Sequence, residues 1–159
     1  MPESNHTQIR PLGTKASEIA SEDVEYIITE FLKVMFSNSS CVKIYSSVGD
    51  TFISIPLFDF FTVAKHGHDI KNVETANKDL AYTIGIDVDY LFLGHFHNTR
   101  EYSVGINPAI GVDRKTFLCP SIMGSDPYSD KILRGSCPGA ELFEFNKNNG
   151  HIGTKHFVL

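Results

Sequence analysis

Tyr90-Leu91-Phe92-Leu93-Gly94-His95-Phe96-His97 is the stretch on which the reading of this chain turns. Residues 88–93 are almost unbroken in apolar character, the pattern of a strand buried on both faces. It ends at a histidine pair, and side chains at strand ends are held rigidly while the loops beyond them reach solvent. In His-x-His on an extended chain both rings point to one face. Neutral imidazole is also the commonest metal ligand in proteins.

Working outward, a second histidine group, Lys65-His66-Gly67-His68-Asp69, closes another apolar run over residues 58–64. Four of the seven histidines thus fall in two tight groups, each after a predicted strand. The segment between them fits one helix and one strand. Residues 78–84 read as that helix, with Leu80 and Ile84 on one side and Gly85 as its C-terminal stop. An αβ connection of this kind brings two strand ends to one edge of a sheet.

Upstream, Ser21 is a predicted N-cap, and Glu22, Asp23 and Glu25 suit the dipole of a first turn. Val24, Ile27, Ile28, Phe31, Leu32 and Met35 recur at helical spacing and are expected to pack into a core. Strands are expected at residues 42–46 and 51–55 before the histidines. Downstream they are expected at 101–104, 115–118, 142–145 and 151–158, with Asn148-Asn149-Gly150 as a hairpin turn. Residues 119–138, rich in Gly, Ser, Pro and Asp, read as a long loop.

The histidine motifs resemble those of the calcineurin-like metallophosphoesterases. The resemblance rests on three elements in order. Ser4-Asn5-His6-Thr7 is similar to the family's Gly-Asn-His, with Ser4 in place of the glycine. His66-Gly67-His68 and Gly94-His95-Phe96-His97 follow. The loop Pro120-Ser121-Ile122-Met123-Gly124-Ser125-Asp126-Pro127-Tyr128 is similar to one in phage- and prophage-type members, and Tyr128 could border the substrate pocket. The resemblance implies an α/β fold, part of a layered β-sandwich with flanking helices, in one domain over residues 1–159. It implies metal ligation by Asn5, His66 and His95 at one ion and His97 at another. It also implies a catalytic role for His6 as general acid or phosphate-stabilising donor. His68 is assigned to supporting the ligands or to the surface. Lys65 and Asp69 could orient the histidines. Arg100 and Arg114 are candidate phosphate contacts, and His151 and His156 are ordinary strand residues.

Paired divalent metals clamp a phosphoryl group and lower the pKa of a bridging water. Mixed nitrogen and oxygen ligands suit Mn, Zn, Fe or Ni. The family's Asp-x-His and its Gly-Asp, whose carboxylate bridges the metals, have no place before His6. Asp87-Val88-Asp89 cannot replace them, because it lies at the wrong end of its strand. The expectation is therefore the C-terminal half of such an enzyme, weakly active or inactive alone, self-associating or completed by a missing half in trans. The alternatives are a non-catalytic remnant or interaction domain, or a mononuclear metal-binding protein.

Bulk properties agree with this reading. The chain has 159 residues, 42% hydrophobic and 21% charged, with a formal net charge of -5. That balance argues against a generic nucleic-acid-coating surface. It leaves room for a phosphoester substrate, including a nucleotide or nucleic acid, handled through bound cations. Cys41, Cys119 and Cys137 are odd in number and lack CxxC spacing, which points to reduced thiols and a cytoplasmic location. The opening residues lack the basic and apolar regions of a signal peptide. No apolar run is long enough to span a bilayer.

Overall fold

The strand ending at His66 and the strand ending at His95, expected at one edge of a sheet, lie side by side. In the computed structural model, which describes residues 24–46, 50–124 and 136–159, β2 (Phe60–Lys65) and β3 (Tyr90–Leu93) pair in parallel, with Thr62 opposite Tyr90 and Lys65 opposite Leu93. The crossover is α2 (Val73–Ile84). This helix begins five residues before the predicted start, because the Asn72 side chain caps it by accepting from the Glu74 N–H at 3.0 Å. It ends at Gly85, whose N–H returns to the Ala81 carbonyl, as expected. The buried Asn77 amide donates to the Val88 carbonyl at 3.0 Å, tying the helix to the start of β3.

The remaining strands complete a layered α/β architecture. β1 (Ile53–Leu57) pairs antiparallel with β2, and β4 (Arg100–Asn107) with β5 (Val112–Leu118). The sheet order is β1-β2-β3-β5-β4, with β3 and β5 parallel. A second sheet, β6 (Gly139–Asn146) with β7 (Gly150–Val158), is a two-stranded hairpin.

Period-two alternation along β3 divides the core between the two faces of the larger sheet. Leu91 and Leu93, with Val63, Val88 and Leu118, pack against Ala76, Leu80 and Ile84. Tyr90 and Phe92, with Phe60 and Phe117, meet Phe143 and Phe145 of the smaller sheet. The Phe92–Phe143, Phe117–Phe143 and Tyr90–Phe145 ring centroids are each 4.8 Å apart. The molecule is thus a sandwich of two sheets with α2 on the outer face of the larger one.

The turn before β7 is fixed by close approach. Gly150 has φ 69°, and a Cβ there would overlap the Tyr90 hydroxyl and Val112. Only glycine tolerates both conditions.

Two sequence-based expectations fail. Residues 42–46 form no strand. The first hairpin instead pairs β1 with β2 across Phe58-Asp59, where Phe58 takes φ 55°. The apolar stripe of α1 (Val24–Met35) is also not buried: Ile27, Phe31 and Met35 are 57%, 64% and 63% exposed. An amphipathic pattern shows that a helix has a face to bury, not that these residues supply the cover. No helix among the described residues is long and apolar enough to cross a membrane.

Candidate metal site

Parallel pairing sets the C-terminal ends of β2 and β3 at one edge of the sheet, and the chain leaves both ends through histidines. Gly94 N–H donates to the Lys65 carbonyl at 3.2 Å, which holds the two exits together. The His66 and His95 ring centroids are 5.1 Å apart, edge to face. His68 joins them, 5.6 Å from His66 and 6.4 Å from His95. The sequence reading left His68 outside the ligand set. The reason lies in Gly67, at φ 96° and buried against Phe96. A Cβ there would come within 3.1 Å of the Phe96 ring. The chain therefore turns tightly at Gly67, and His68 is brought back over His66.

The backbone beyond β3 is strained. His95 has φ 67° and His97 has φ 51°. Phe96 N–H donates to the Gly94 carbonyl at 2.7 Å, so His95 is the central residue of a γ-turn with positive φ. That turn is rare and strained. Left-handed non-glycine residues cost about 1–3 kcal/mol each and gather at ligand clamps and active sites.

The loop carrying His66 and His68 is closed by an ion pair. Lys65 Nζ, on a side chain only 10% exposed, lies 2.9 Å from Asp69 Oδ2. It also donates to the Thr51 carbonyl at 3.4 Å. Partial burial pushes the Asp69 carboxyl upward. The Lys65 hydrogen bond and charge outweigh it, with smaller help from its own backbone and His68, and leave it below the usual carboxylate range. Asp69 is thus a carboxylate committed to Lys65.

The other sequence-predicted residues separate. Asn5, His6 and Tyr128 lie outside the described residues. His97 is half-buried two residues beyond His95. Arg114 is not placed as a phosphate contact. Its Nη2 lies 2.7 Å from Asp87 Oδ2 and its Nε 3.4 Å from Asp89 Oδ1, at the opposite end of β3. Among the described residues, no three His, Cys, Asp or Glu side chains are already arranged to hold an ion together. The histidine trio is a loose cluster of three imidazoles rather than a closed cage. Its donor chemistry fits one divalent ion; no carboxylate in it could bridge two.

Two buried groups on the sandwich side escaped the sequence reading. His151 is a strand residue of β7, as expected, with its ring turned inward. Its ring, 6% exposed, packs on Phe117 with centroids 4.8 Å apart. Its Nδ1 lies 3.2 Å from Lys115 Nζ, its Nε2 2.8 Å from Thr154 Oγ1, and its backbone N–H donates to the Tyr90 hydroxyl at 3.1 Å. Lys115 can only donate, so Nδ1 accepts and Nε2 carries the proton. Burial first, then the Lys115 charge, lowers the His151 pKa, against an opposing pull from Glu101 and the Gly153 backbone. The second group follows β5. Cys119 N–H donates to the Leu93 carbonyl at 2.8 Å, which extends the β3–β5 pairing past the end of β3. Burial, helped by Glu141, pushes the Cys119 thiol up to about 12, so it is no thiolate nucleophile near neutral pH. All three cysteines are free thiols. His151 alternates with Ile152 along β7 like any inward strand residue, so no local signal set it apart.

No protein-family model matches the chain. It is 31% identical over all 159 residues to the SPbeta prophage-derived protein YonJ of Bacillus subtilis (strain 168), and it spans only 38% of that protein's length. Among solved structures it is similar to Vps29 from Entamoeba histolytica complexed with zinc, with TM-score 0.46 and 20% identity over 74% of this chain and 66% of that one. A double mutant of the same protein gives TM-score 0.48 and 19% identity over 69% of this chain and 61% of that one. Vacuolar protein sorting 29 from Cryptosporidium parvum gives 0.48 and 12% over 82% and 77%.

Proposed function

We propose that the strand-end histidines form the divalent-metal part of a phosphoester-hydrolysing centre of the calcineurin-like kind, with a phosphodiester, nucleotide or nucleic acid as substrate. The observation that carries this reading is the 5.1 Å spacing of the His66 and His95 rings, delivered from the ends of two adjacent parallel strands. The positive φ of His95 and His97 supports it, because strain of this kind persists where a ligand site repays it.

In this reading His66 and His95 ligate one ion, and Asn5 adds an amide oxygen. His97 serves a second ion, and His6 stands at the leaving group. A bound divalent ion would polarise a phosphoryl oxygen and supply hydroxide near neutral pH. Mn, Zn, Fe and Ni all suit the donors. The protein's own contribution is to hold two imidazoles rigidly, through Gly94 on the Lys65 carbonyl and Lys65 on Asp69.

Catalysis by these residues alone is incomplete. The described carboxylates nearest in sequence to β3, Asp87 and Asp89, are engaged at its other end. Among the described residues neither is placed to bridge two ions, so a bridging carboxylate would come from outside them, from the rest of the chain or from a partner. The exposed apolar face of α1 supports association, with a second copy or with such a half. A non-catalytic metal-binding or interaction domain is the second reading, and the same exposed face favours it.

The test is hydrolysis of bis(p-nitrophenyl) phosphate by the chain with Mn²⁺ or Zn²⁺. Bound metal with turnover close to the metal-only background is the expected result. Rapid turnover that is lost in His6→Ala would overturn the incompleteness, and absence of any bound metal would overturn the site.

A further inference from the structure

We infer that His68 is a third ligand to the ion held by His66 and His95, making a single three-imidazole site. The inference rests on the proposed metal site and concerns a residue that neither the family resemblance nor the sequence reading placed among the ligands.

The argument is geometric. With a metal–nitrogen distance of about 2.1 Å and tetrahedral angles, imidazoles sharing one ion have ring centroids about 5 Å apart. The His66–His95 spacing of 5.1 Å is already that value. The His66–His68 spacing of 5.6 Å exceeds it only slightly. The His68–His95 spacing of 6.4 Å is the one that must shorten. His68 is exposed and its ring can move, whereas His66 and His95 leave paired strand ends. A rotamer change at His68 moves a surface side chain and leaves the sheet untouched. This also accounts for the open state of the cluster.

The loop is built to allow the convergence. His66-Gly67-His68 turns through the positive φ of Gly67, and Lys65 and Asp69 clamp its two ends. Gly67 itself is seated against Phe96 and the Gly94 carbonyl. The two loops are therefore packed on each other, and His66 and His68 are presented to His95 from across that contact. Three imidazoles would leave the fourth position of a tetrahedral ion to the Asn5 amide oxygen, with water or a phosphoryl oxygen entering as a fifth ligand.

The test uses Co²⁺ and Zn²⁺ alone, with wild type, His66→Ala and His68→Ala compared for affinity by calorimetry and for the visible Co²⁺ spectrum. Loss of a partner that merely supports a ligand costs about 10–100-fold in affinity. Loss of a ligand exceeds that and changes the Co²⁺ spectrum. The expected result is a four-coordinate spectrum in wild type, with weakening beyond roughly 100-fold and an altered spectrum in His68→Ala. Long-range ¹H–¹⁵N spectra should also show a His68 ring nitrogen shifting on addition of Zn²⁺. Wild-type binding that His66→Ala removes and His68→Ala leaves intact would overturn this inference alone. No binding by wild type would overturn it together with the metal site. Circular dichroism of each variant separates lost ligation from lost folding.

Discussion

The N-terminal end of β3 holds Asp87, Asp89, Arg114 and Asn107; the C-terminal end, roughly 15–20 Å along the chain, holds His66, His68 and His95. At the first end every polar group has a dedicated neighbour. Asp89, 7% exposed, accepts from the Phe61 N–H at 2.9 Å, the Asn107 amide at 2.8 Å and Arg114 at 3.4 Å. At the second end imidazoles face one another, and the backbone beneath two histidines sits in the left-handed region. Both ends bring together polar residues from distant parts of the sequence. Only one combines that with backbone strain and with a cluster of imidazole rings. Buried charge that is saturated by its neighbours holds a fold together, whereas clustered donors over strained backbone are where the ligand site is proposed.

The largest expected effect breaks the structural end. Asp89→Ala leaves Arg114 and the Phe61 N–H without their buried acceptor and should cost about 3–5 kcal/mol in urea denaturation. A loss below about 1 kcal/mol would mean that this end is no more structural than the other. Next, Gly150→Ala forces a methyl group into the Tyr90 hydroxyl at positive φ. It should cost about 3 kcal/mol by the same measurement. A neutral outcome would place the second sheet less tightly on Tyr90 than described.

The histidine end should respond in the opposite sense. His95→Gly relieves a positive φ and should raise stability by about 1 kcal/mol while abolishing metal binding. Simultaneous loss of stability and binding would mean that the His95 ring is itself a packing element and would blur the contrast between the two ends.

The smallest expected effect is a pH dependence at the sandwich. The folded pKa of His151 is lowered, so the unfolded chain binds the proton more readily. Stability from this group is complete above about 6.5, the unfolded value. It falls as pH drops from there through the folded pKa, where a buried imidazolium would face the Lys115 ammonium, offset in part by Glu101 and the Gly153 backbone. Thermal midpoints should decline between pH 7 and 5, and His151→Gln should decline less steeply. Parallel profiles would remove His151 as the cause.

Much of this division was readable in advance. The unbroken apolar run of β3, the Gly85 stop and the Asn148-Asn149-Gly150 turn carry local signals, and the parallel β2–α2–β3 unit follows from them. The start of α2 was missed, although Asn72 before Val73-Glu74 is an ordinary N-cap pattern. Other features depend on tertiary structure. Phe58-Asp59 is not a residue pair that announces a hairpin, so the β1–β2 register came only with the fold. The apolar stripe of α1 was visible, but its exposure was not, since hydrophobic spacing cannot say which surface covers it. The place of His68 depends on the φ of Gly67, and the strain at His95 and His97 leaves no trace in composition or periodicity. His66 and His95 were identified by motif, yet their separation from the carboxylates at Asp87 and Asp89 is a consequence of strand direction.

The central claim is that the histidine end binds a divalent ion. The most direct test is elemental analysis of the chain after incubation with Zn²⁺ and removal of the excess, beside the His66→Ala/His95→Ala double variant. The account predicts close to one zinc per wild-type chain and close to none in the variant. Zinc absent from the wild type, or retained equally by the variant, would contradict it.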